Sequence, residues 1–390
     1  IEQPYFYFGT TYTRKDNTAA APRQRGAFAA FLLGYHDYAR MGLTDSWAAS
    51  QTWSGWYLQD NWKFGPRLTL NLGLRYELEN PVTERYNRMQ NGFDMTTPLP
   101  IEAQVRANYA AQPIPEVAAS QLNVRGGYLF AGANNRGLWE RDNRNLMPRL
   151  GLAYALDRKT TLNAGYGLYF DNLGLTNTVN PRQPGFSRTT SVNSSNDNGL
   201  TFATTFTDPI REGLLQPVGN RLGLMTDVDG GGRAFERYIT KNPYSQRWSL
   251  GLQRELPLNS ILRATYLGSH GVRLMINRNN NAVPLQYLTT SPVRDQAKID
   301  WMNANVPNPF RGVDGVTSGL YTGTTMTRGQ LLRPSPQYGD YAMGEPSGYS
   351  TYHALQVDFN RRFAQGFDFG GAYTYSKTME ASSFLNAADA

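Results

Sequence analysis

The sequence predicts an all-β fold, namely part of a large antiparallel transmembrane β-barrel with short turns on one side and long loops on the other. Three observations predict it. Apolar and polar residues alternate strictly through Trp56–Glu77, a similar two-strand pattern recurs along the chain, and long polar segments separate the copies. Alternation with period two is typical of a strand that has one apolar face and one wet face.

The segment Trp56–Glu77 is interpreted as a hairpin with its turn at Gly65-Pro66, because neither residue continues a strand ladder easily. In its second strand, Asn71, Arg75 and Glu77 share the polar face, and we expect them to face the lumen of a barrel. The opposite, apolar face carries Leu68, Leu70, Leu72, Leu74 and Tyr76.

The length of these strands favours a membrane protein over a soluble β-sandwich. Each runs for about ten residues, as a tilted bilayer-crossing strand does, whereas soluble strands are usually shorter. Trp56 and Tyr76 lie at one end of the apolar face and Trp62 and Phe64 at the other, like two aromatic girdles. Asp60 interrupts this face, and it either lies at the periplasmic headgroup level or is turned inward by a β-bulge.

Composition agrees with a barrel and excludes several other classes. The 390 residues are 40% hydrophobic with a mean hydropathy of −0.52, as expected if only alternate strand residues meet lipid. The chain has no cysteine, which excludes disulfides, thiolate metal sites and cysteine nucleophiles. Its net charge is +7, but Arg67, Arg149, Arg247 and Arg263 are dispersed, so we predict no nucleic-acid partner.

Three more hairpins follow, in residues 146–170, 245–271 and 350–377. Their predicted turns are Asp157-Arg158-Lys159, Pro257-Leu258-Asn259 and Ala364-Gln365-Gly366. Polar connections of about sixty to eighty residues separate the hairpins, which is unusual in a compact domain but fits long extracellular loops. We expect these loops to be disordered or to carry short hairpins. Gln3–Arg14 is predicted to be one further strand that rises into such a loop.

The hairpin block "YLQDNWKFGPRLTLNLGLRYE" resembles the barrel signature of TonB-dependent outer-membrane receptors, specifically the Oar-like group. Further blocks in the same order are similar to that group. These blocks are "FAAFLLGY", "NLMPRLGLAY", "ATYLGSHGVRL", "VPNPFRG", "QLLRPSPQYG" and "YHALQVDFNRRFAQGFDFGGAYTYSK". The resemblance covers essentially the whole chain.

The resemblance implies an integral barrel of about twenty-two antiparallel strands in the Gram-negative outer membrane, with short periplasmic turns, long extracellular loops and contact with lipid. It also implies an N-terminal plug inside the barrel. A further implication is uptake of an extracellular substrate, with energy delivered to the plug through TonB. Here we expect about nine strands, no signal peptide, no plug, no TonB box and no terminal aromatic strand. Residues 1–390 are therefore interpreted as a partial barrel domain, internal to a longer protein.

No catalytic, cofactor-binding or metal site is predicted, and the substrate-binding residues stay open. The three histidines, His36, His270 and His353, have no metal-ligand spacing, and His270 is expected in a glycine-rich bend. Asp227 and Asp229 precede a glycine turn as in a calcium loop, but the third ligand position and the distal Glu are missing. An exposed turn is therefore favoured there over calcium.

Three functions are compatible with this pattern. The first is an energised outer-membrane transporter, and the second is a barrel without energy coupling, such as a passive pore, an export partner or a surface adhesin. The third is a soluble all-β carbohydrate-binding protein or hydrolase. No convincing pair of carboxylates supports hydrolysis, so we predict that the protein is not an enzyme.

Overall fold

The computed structural model describes residues 4–14, 23–173, 183–197, 200–236, 241–364 and 366–383. Its strands are β1 (Tyr5–Tyr7), β2 (Tyr38–Thr44), β3 (Ala49–Ser50), β4 (Trp53–Lys63), β5 (Leu68–Glu79), β6 (Thr83–Glu84), β7 (Gln90–Pro98), β8 (Arg125–Phe130), β9 (Leu146–Ala155), β10 (Thr160–Phe170), β11 (Ser187–Asn193), β12 (Arg233–Glu236), β13 (Tyr244–Leu256), β14 (Ser260–Asn279), β15 (Asn305–Pro307), β16 (Thr325–Thr327), β17 (Tyr341–Ala364) and β18 (Phe367–Ala381).

The helices are α1 (Arg23–Leu33), α2 (Glu102–Ala110), α3 (Gln296–Asn303), α4 (Ser318–Thr322) and α5 (Arg328–Leu331). Among the described residues, none of these helices has the length and apolar character needed to cross a membrane. The helices lie in the connections between strands. For example, the N-terminus of α3 is capped by Asp295, whose side chain accepts a hydrogen bond from the Lys298 backbone N–H at 3.0 Å.

Eight strands form one antiparallel wall in chain order, which confirms the four predicted hairpins. Within the first hairpin, Trp56 pairs with Tyr76 and Trp62 pairs with Leu70. Strand β5 then pairs with β9, β10 with β13, and β14 with β17. The sheet also contains the short strand β12, which pairs in parallel with the loop end of β17. We call the eight antiparallel strands, β4, β5, β9, β10, β13, β14, β17 and β18, the wall. Its two ends are the turn end, where the hairpins reverse, and the loop end.

The two faces of the wall differ in polarity, as the alternation predicts. One lateral row on the apolar face contains Trp62, Leu70, Leu152, Ala164, Leu250, Tyr266, Leu355 and Tyr375. Leu150 and Leu250 leave 52% and 51% of their surfaces exposed on this face. An exposed apolar field of this extent is atypical of a protein surface in water, and it matches the lipid-facing band of a membrane barrel.

The hairpins reverse in short turns whose residues suit the required backbone. Gly65 has a φ of 82°, which side-chain-bearing residues rarely adopt. Leu258 and Asn259 both have positive φ, at 64° and 58°, as in a two-residue hairpin turn. In the second hairpin the Asp157 side chain accepts a hydrogen bond from the backbone N–H of Lys159 at 2.7 Å. The predicted turns are therefore confirmed where the structure describes them.

The register of the wall tilts its strands. The lateral row that contains Lys63 passes through Ala153, Gly251 and Gln356. This row lies at the C-terminal end of β4. It lies two residues before the C-terminal end of β9, five before that of β13 and eight before that of β17. Eight residues at about 3.3 Å against six strand spacings at about 4.8 Å correspond to a tilt of about 40°. Outer-membrane barrel strands tilt by this amount.

The three long connections, residues 80–145, 171–243 and 280–340, fold together at the loop end. We call their described residues the loop assembly. All three supply residues to one buried apolar core, which also includes the loop end of β17. The core consists of Leu99, Ile101, Val105, Tyr109, Ile114, Leu122, Val124, Val228, Val306, Phe310, Val313, Val316, Leu320, Met326, Leu331, Leu332, Tyr338, Tyr341 and Met343. Of the two alternatives predicted for the loops, disorder is wrong for the part that the structure describes. Short antiparallel pairs are confirmed, since β7 pairs with β8 and β15 with β16.

Buried polar side chains stabilise this assembly. Asn281 follows β14 in a segment that its composition identifies as a polar loop, yet its side chain is fully buried. Its amide donates to the carbonyl oxygens of Ser335, Tyr338 and Gly339 at 2.9, 3.1 and 2.7 Å. Such partners are what a buried amide requires, so Asn281 links the end of β14 to the segment that enters β17.

The structure corrects the prediction for Gln3–Arg14. Within its described part only β1 is extended, and β1 pairs with β2 in a separate sheet with β11 rather than with the wall. The rings of Tyr5 and Tyr7 pack on Tyr38, with centroids 5.9 and 5.2 Å apart. The extended strand ends at Tyr7, and three residues are too few to cross a membrane.

Asp60 lies on the apolar face of β4, opposite Leu72. The β4–β5 register is continuous from Trp53 to Lys63, so the β-bulge offered as one explanation for Asp60 is wrong. The other explanation, a position at the headgroup level near the turn end, stays a prediction.

Candidate functional site

The polar face of the wall, here called the lumen face, carries the candidate site in two neighbouring lateral rows. The row nearer the turn end contains Asn61, Asn71, Gly151, Gly165, Ser249 and Leu267. The row nearer the loop end contains Gln59, Gly73, Arg149, Gly167, Arg247, Ser269 and Tyr352. Glycine at four of these positions leaves backbone uncovered, which produces a concave surface.

A cavity of about 440 Å³ follows these rows. Its polar lining includes Gln59, Asn71 and Ser249, and its cationic lining consists of Arg149 and Arg247. Neutral hydrogen-bonding groups and two positive charges therefore surround one open depression in the wall. The two guanidinium groups suit the acidic groups of a solute. The rest of the lining includes the apolar side chains of Leu72, Leu150, Trp248 and Leu267.

Three side chains form the centre of the site. Gly167 on β10 pairs with Arg149 on one neighbouring strand and with Arg247 on the other. The guanidinium carbons of these arginines lie 4.9 and 5.5 Å from the ring centroid of Tyr169. Cations at these distances from an aromatic ring interact favourably with it. We call Arg149, Tyr169 and Arg247 the arginine–tyrosine cluster.

The residues of the first hairpin that the sequence predicts to face the lumen lie together on the polar face of the wall, and they already have partners. Arg75 forms an ion pair with Glu77 and lies 5.4 Å from the ring of Trp53. Asn71 lies against Gly151, where an added Cβ would meet its side chain at 3.2 Å. These residues therefore shape the wall beside the arginine–tyrosine cluster.

The loop end of the wall is fixed by a buried carboxylate. Asp142 precedes β9 and accepts hydrogen bonds from the side chain of Arg144 at 2.7 Å and from the backbone N–H of Asn242 at 3.2 Å. Burial raises the pKa of Asp142, but the hydrogen bonds outweigh burial and hold this pKa below its usual value. Asp142 thus joins the segments that enter β9 and β13.

The structure places Asp227 and Asp229 in a partly buried turn rather than an exposed one. Asp229 accepts a hydrogen bond from the Gly231 backbone N–H at 2.8 Å and forms an ion pair with Arg233. Within the described residues, no three His, Asp or Glu side chains lie together as metal ligands would. Burial raises the pKa of Asp227, because a charge is poorly solvated there. Asp229 is therefore neutralised by a basic side chain of the same turn.

His270 and His353 are diagonal neighbours on the paired strands β14 and β17, two positions apart in register, whereas His36 precedes β2. His270 is inside β14, where it pairs with Gln246 and Thr351, so its prediction as part of a bend is wrong. The pairing of β14 with β17 is continuous from Ser260 to Val272, so the backbone at His270 is extended. His36 is fully buried near the rings of Phe6 and Phe8.

Sequence patterns do not identify the arginine–tyrosine cluster. Arg149 and Arg247 are almost a hundred residues apart in the chain and belong to no basic run. The register of β10 with both neighbours brings them together, and pairing across strands is not visible in a single sequence. The one available signal is Gly167, a strand glycine two residues before a tyrosine, which indicates space for a ring.

Comparison with known proteins identifies the family. The model of the outer membrane beta barrel domain matches residues 2–390. A search of curated proteins gives no match. Among solved structures, the chain is similar to the alcaligin outer membrane receptor FauA from Bordetella pertussis, at 11% identity and a TM-score of 0.31, covering 88% of this chain and 35% of that one.

The outer membrane transporter YddB from Escherichia coli is similar at 11% identity and a TM-score of 0.33, with 88% of this chain and 34% of that one covered. For the siderophore receptor PiuA from Acinetobacter baumannii the identity is 10% and the TM-score 0.33, with 88% and 26% covered. The chain thus spans about a third or less of the length of these structures. The family match across the whole chain confirms the predicted barrel and its location: the chain belongs to the outer membrane beta barrel domain family and lies in the outer membrane.

Proposed function

We propose that this chain forms part of the barrel of an energised outer-membrane transporter, which moves a solute inward with energy delivered through TonB. Family membership supports the barrel, and the ordered blocks from "YLQDNWKFGPRLTLNLGLRYE" onward support the TonB-dependent class. We assign residues 1–390 to a partial barrel domain that other strands of the same protein complete. The membrane lipid contacts the apolar face, and the solute contacts the lumen face.

The observation that carries this proposal is the number of glycine residues on the lumen face. Gly73, Gly151, Gly165, Gly167 and Gly251 all face the lumen. The interior of a barrel closed by about eight strands must be filled by side chains, whereas barrels of about twenty-two strands hold a separate plug. Glycine at these five positions would leave the interior of an eight-stranded barrel partly unfilled. It suits a wide barrel whose lumen contains other groups.

The edges of the wall agree with this size. In the part of the chain that the structure describes, β4 pairs only with β5, and β18 pairs only with β17. Unpaired strand edges are strongly unfavourable in lipid, because no water is present to satisfy their backbone groups. Additional strands must therefore cover both edges in the membrane.

Energy coupling can be tested without knowing the solute. We expect the full-length protein, purified in detergent, to be retained by the immobilised periplasmic domain of TonB. A passive pore, an export partner or an adhesin of the same fold would pass through without retention, and that result would overturn the proposed coupling. An unrelated porin purified in parallel controls for adhesion to the matrix.

A further inference from the structure

The two arginines of the arginine–tyrosine cluster have no carboxylate partner in the described residues, in contrast to several arginines elsewhere in the protein. Arg75 pairs with Glu77, Arg144 with Asp142 and Arg333 with Asp340. Neither Arg149 nor Arg247 forms an ion pair with any residue in the described ranges. Two uncompensated guanidinium groups therefore face the same depression, and each presents donors that match carboxylate or phosphate oxygens.

The cluster is held in place by the wall. An added Cβ at Gly167 would lie 2.6 Å from the Tyr169 hydroxyl, so the ring lies over the bare backbone of Gly167. The ring in turn contacts both guanidinium groups. This arrangement restricts the arginine side chains before any ligand arrives, which reduces the entropy lost on binding.

We propose that Arg149, Tyr169 and Arg247 form a subsite for the acidic groups of the transported solute, a small molecule with at least two carboxylate or phosphate groups. This inference rests on the proposed transport function and specifies its substrate class. Each guanidinium binds one acidic group, and the ring of Tyr169 supports the guanidinium planes from the wall side.

The dimensions of the site fit such a solute. The two guanidinium carbons are at most 10.4 Å apart, which is the sum of their distances from the shared ring centroid. A polycarboxylate of about citrate's size can contact both, since charge-assisted hydrogen bonds extend about 2.8 Å from each guanidinium. The cavity of about 440 Å³ leaves space for it beside Gln59, Asn71 and Ser249.

The position of the cluster favours a solute that enters from outside. Arg149 and Arg247 each lie three residues from the loop end of their strand, and Tyr169 lies one residue from the end of β10. Both arginine side chains are exposed. The cluster is therefore at the external part of the lumen, below the loop assembly, where an arriving solute meets the wall.

The test is binding of citrate and of inorganic phosphate to the full-length protein in detergent, measured by titration calorimetry at low salt. We expect citrate to bind more tightly than phosphate, and the double variant R149Q/R247Q to bind citrate at least tenfold more weakly. Tyr169→Phe keeps the ring and should retain binding, whereas Tyr169→Leu should weaken it.

Arg263→Gln is the matched control. Arg263 also faces the lumen, but it lies nearer the turn end, where it donates to Gln253 at 2.8 Å. Absence of citrate binding by the wild-type protein, or an equal loss in Arg263→Gln, would overturn the proposal. Normal citrate binding by the R149Q/R247Q protein would also overturn the proposal. If that protein lost thermal stability at the same time, the two arginines would instead contact an acidic group of the protein itself. None of these results depends on TonB, so they are distinguishable from failure of energy coupling.

Discussion

At the scale of single residues, Gly167 sets the position of the most distinctive side chains of the lumen face. Its backbone is the surface on which the Tyr169 ring lies, and a side chain there would approach the Tyr169 hydroxyl to 2.6 Å. The arginines on both neighbouring strands contact this ring. Gly167, which has no side chain, thus determines the geometry of the three side chains of the arginine–tyrosine cluster.

Gly167→Ala tests this role. We expect the added methyl group to displace the Tyr169 ring from the wall, and citrate affinity to fall severalfold while the barrel stays folded. The fold should survive because the clash is with the far end of a movable side chain. Gly251→Ala is the control, because there the nearest atom is the Thr265 hydroxyl oxygen at 3.0 Å, and neither residue belongs to the cluster or lines the cavity. Unchanged citrate affinity in Gly167→Ala would contradict the account.

His36 predicts a pH dependence of the small β1–β2–β11 sheet. Burial lowers the pKa of His36, and this effect is larger than the opposing effect of Asp37. In the unfolded segment His36 takes up a proton at about pH 6.5, whereas in the folded segment it takes up a proton only at lower pH. Stability is therefore complete above about pH 6.5 and decreases as the pH falls below it.

Hydrogen exchange of the β2 amides, corrected for intrinsic rates, measures this effect. Protection should fall between about pH 7.5 and about pH 5.5 in the wild-type protein. In His36→Leu the same amides should show no such fall, because the titrating group is absent. An equal loss of protection in both proteins would assign the pH dependence to other groups.

At the scale of elements, Glu84 anchors the start of the first long connection. Its side chain is fully buried and accepts hydrogen bonds from the backbone N–H groups of Ala48, Tyr86 and Arg88 at 3.1, 2.7 and 2.8 Å. Burial raises the pKa of Glu84, but these hydrogen bonds outweigh it and lower the pKa overall. Strand β6 is thereby linked to the segment that precedes β4.

We expect Glu84→Gln to destabilise this segment by about 1–3 kcal/mol, because charged acceptors bind backbone N–H groups more strongly than amides do. Hydrogen exchange at Tyr86 and Arg88 measures the free energy of local opening. Asp208→Asn is the control, since Asp208 forms a solvent-exposed ion pair with Arg211 and should change little. Unaltered protection at both amides in Glu84→Gln would show that Glu84 is not an anchor.

The elements that sequence patterns predict are those with long alternation. All four hairpins and the face of every leucine in Leu68–Tyr76 follow from period two. The sheet that β1 joins does not follow from the sequence, because three extended residues are too few to indicate a strand partner. The core of the loop assembly is also invisible, since Val105 and Phe310 pack in one cluster although two hundred residues separate them.

At the scale of the whole molecule, the structure combines a tilted two-faced wall with a packed loop assembly. The tilt of about 40° follows from the register of all four hairpins, so it does not depend on one turn. The loop assembly covers the loop end with a core of its own. The arginine–tyrosine cluster lies at the junction of these two parts.

The central claim is that the leucine face contacts lipid and the opposite face the lumen. Leu250 and Ser249 are neighbours on β13 and face opposite sides. The direct measurement is the folding free energy of the full-length protein in lipid bilayers. Leu250→Arg should reduce it by about 2–4 kcal/mol and Ser249→Arg by less than about 1 kcal/mol. Equal losses, or a larger loss for Ser249→Arg, would contradict the claim.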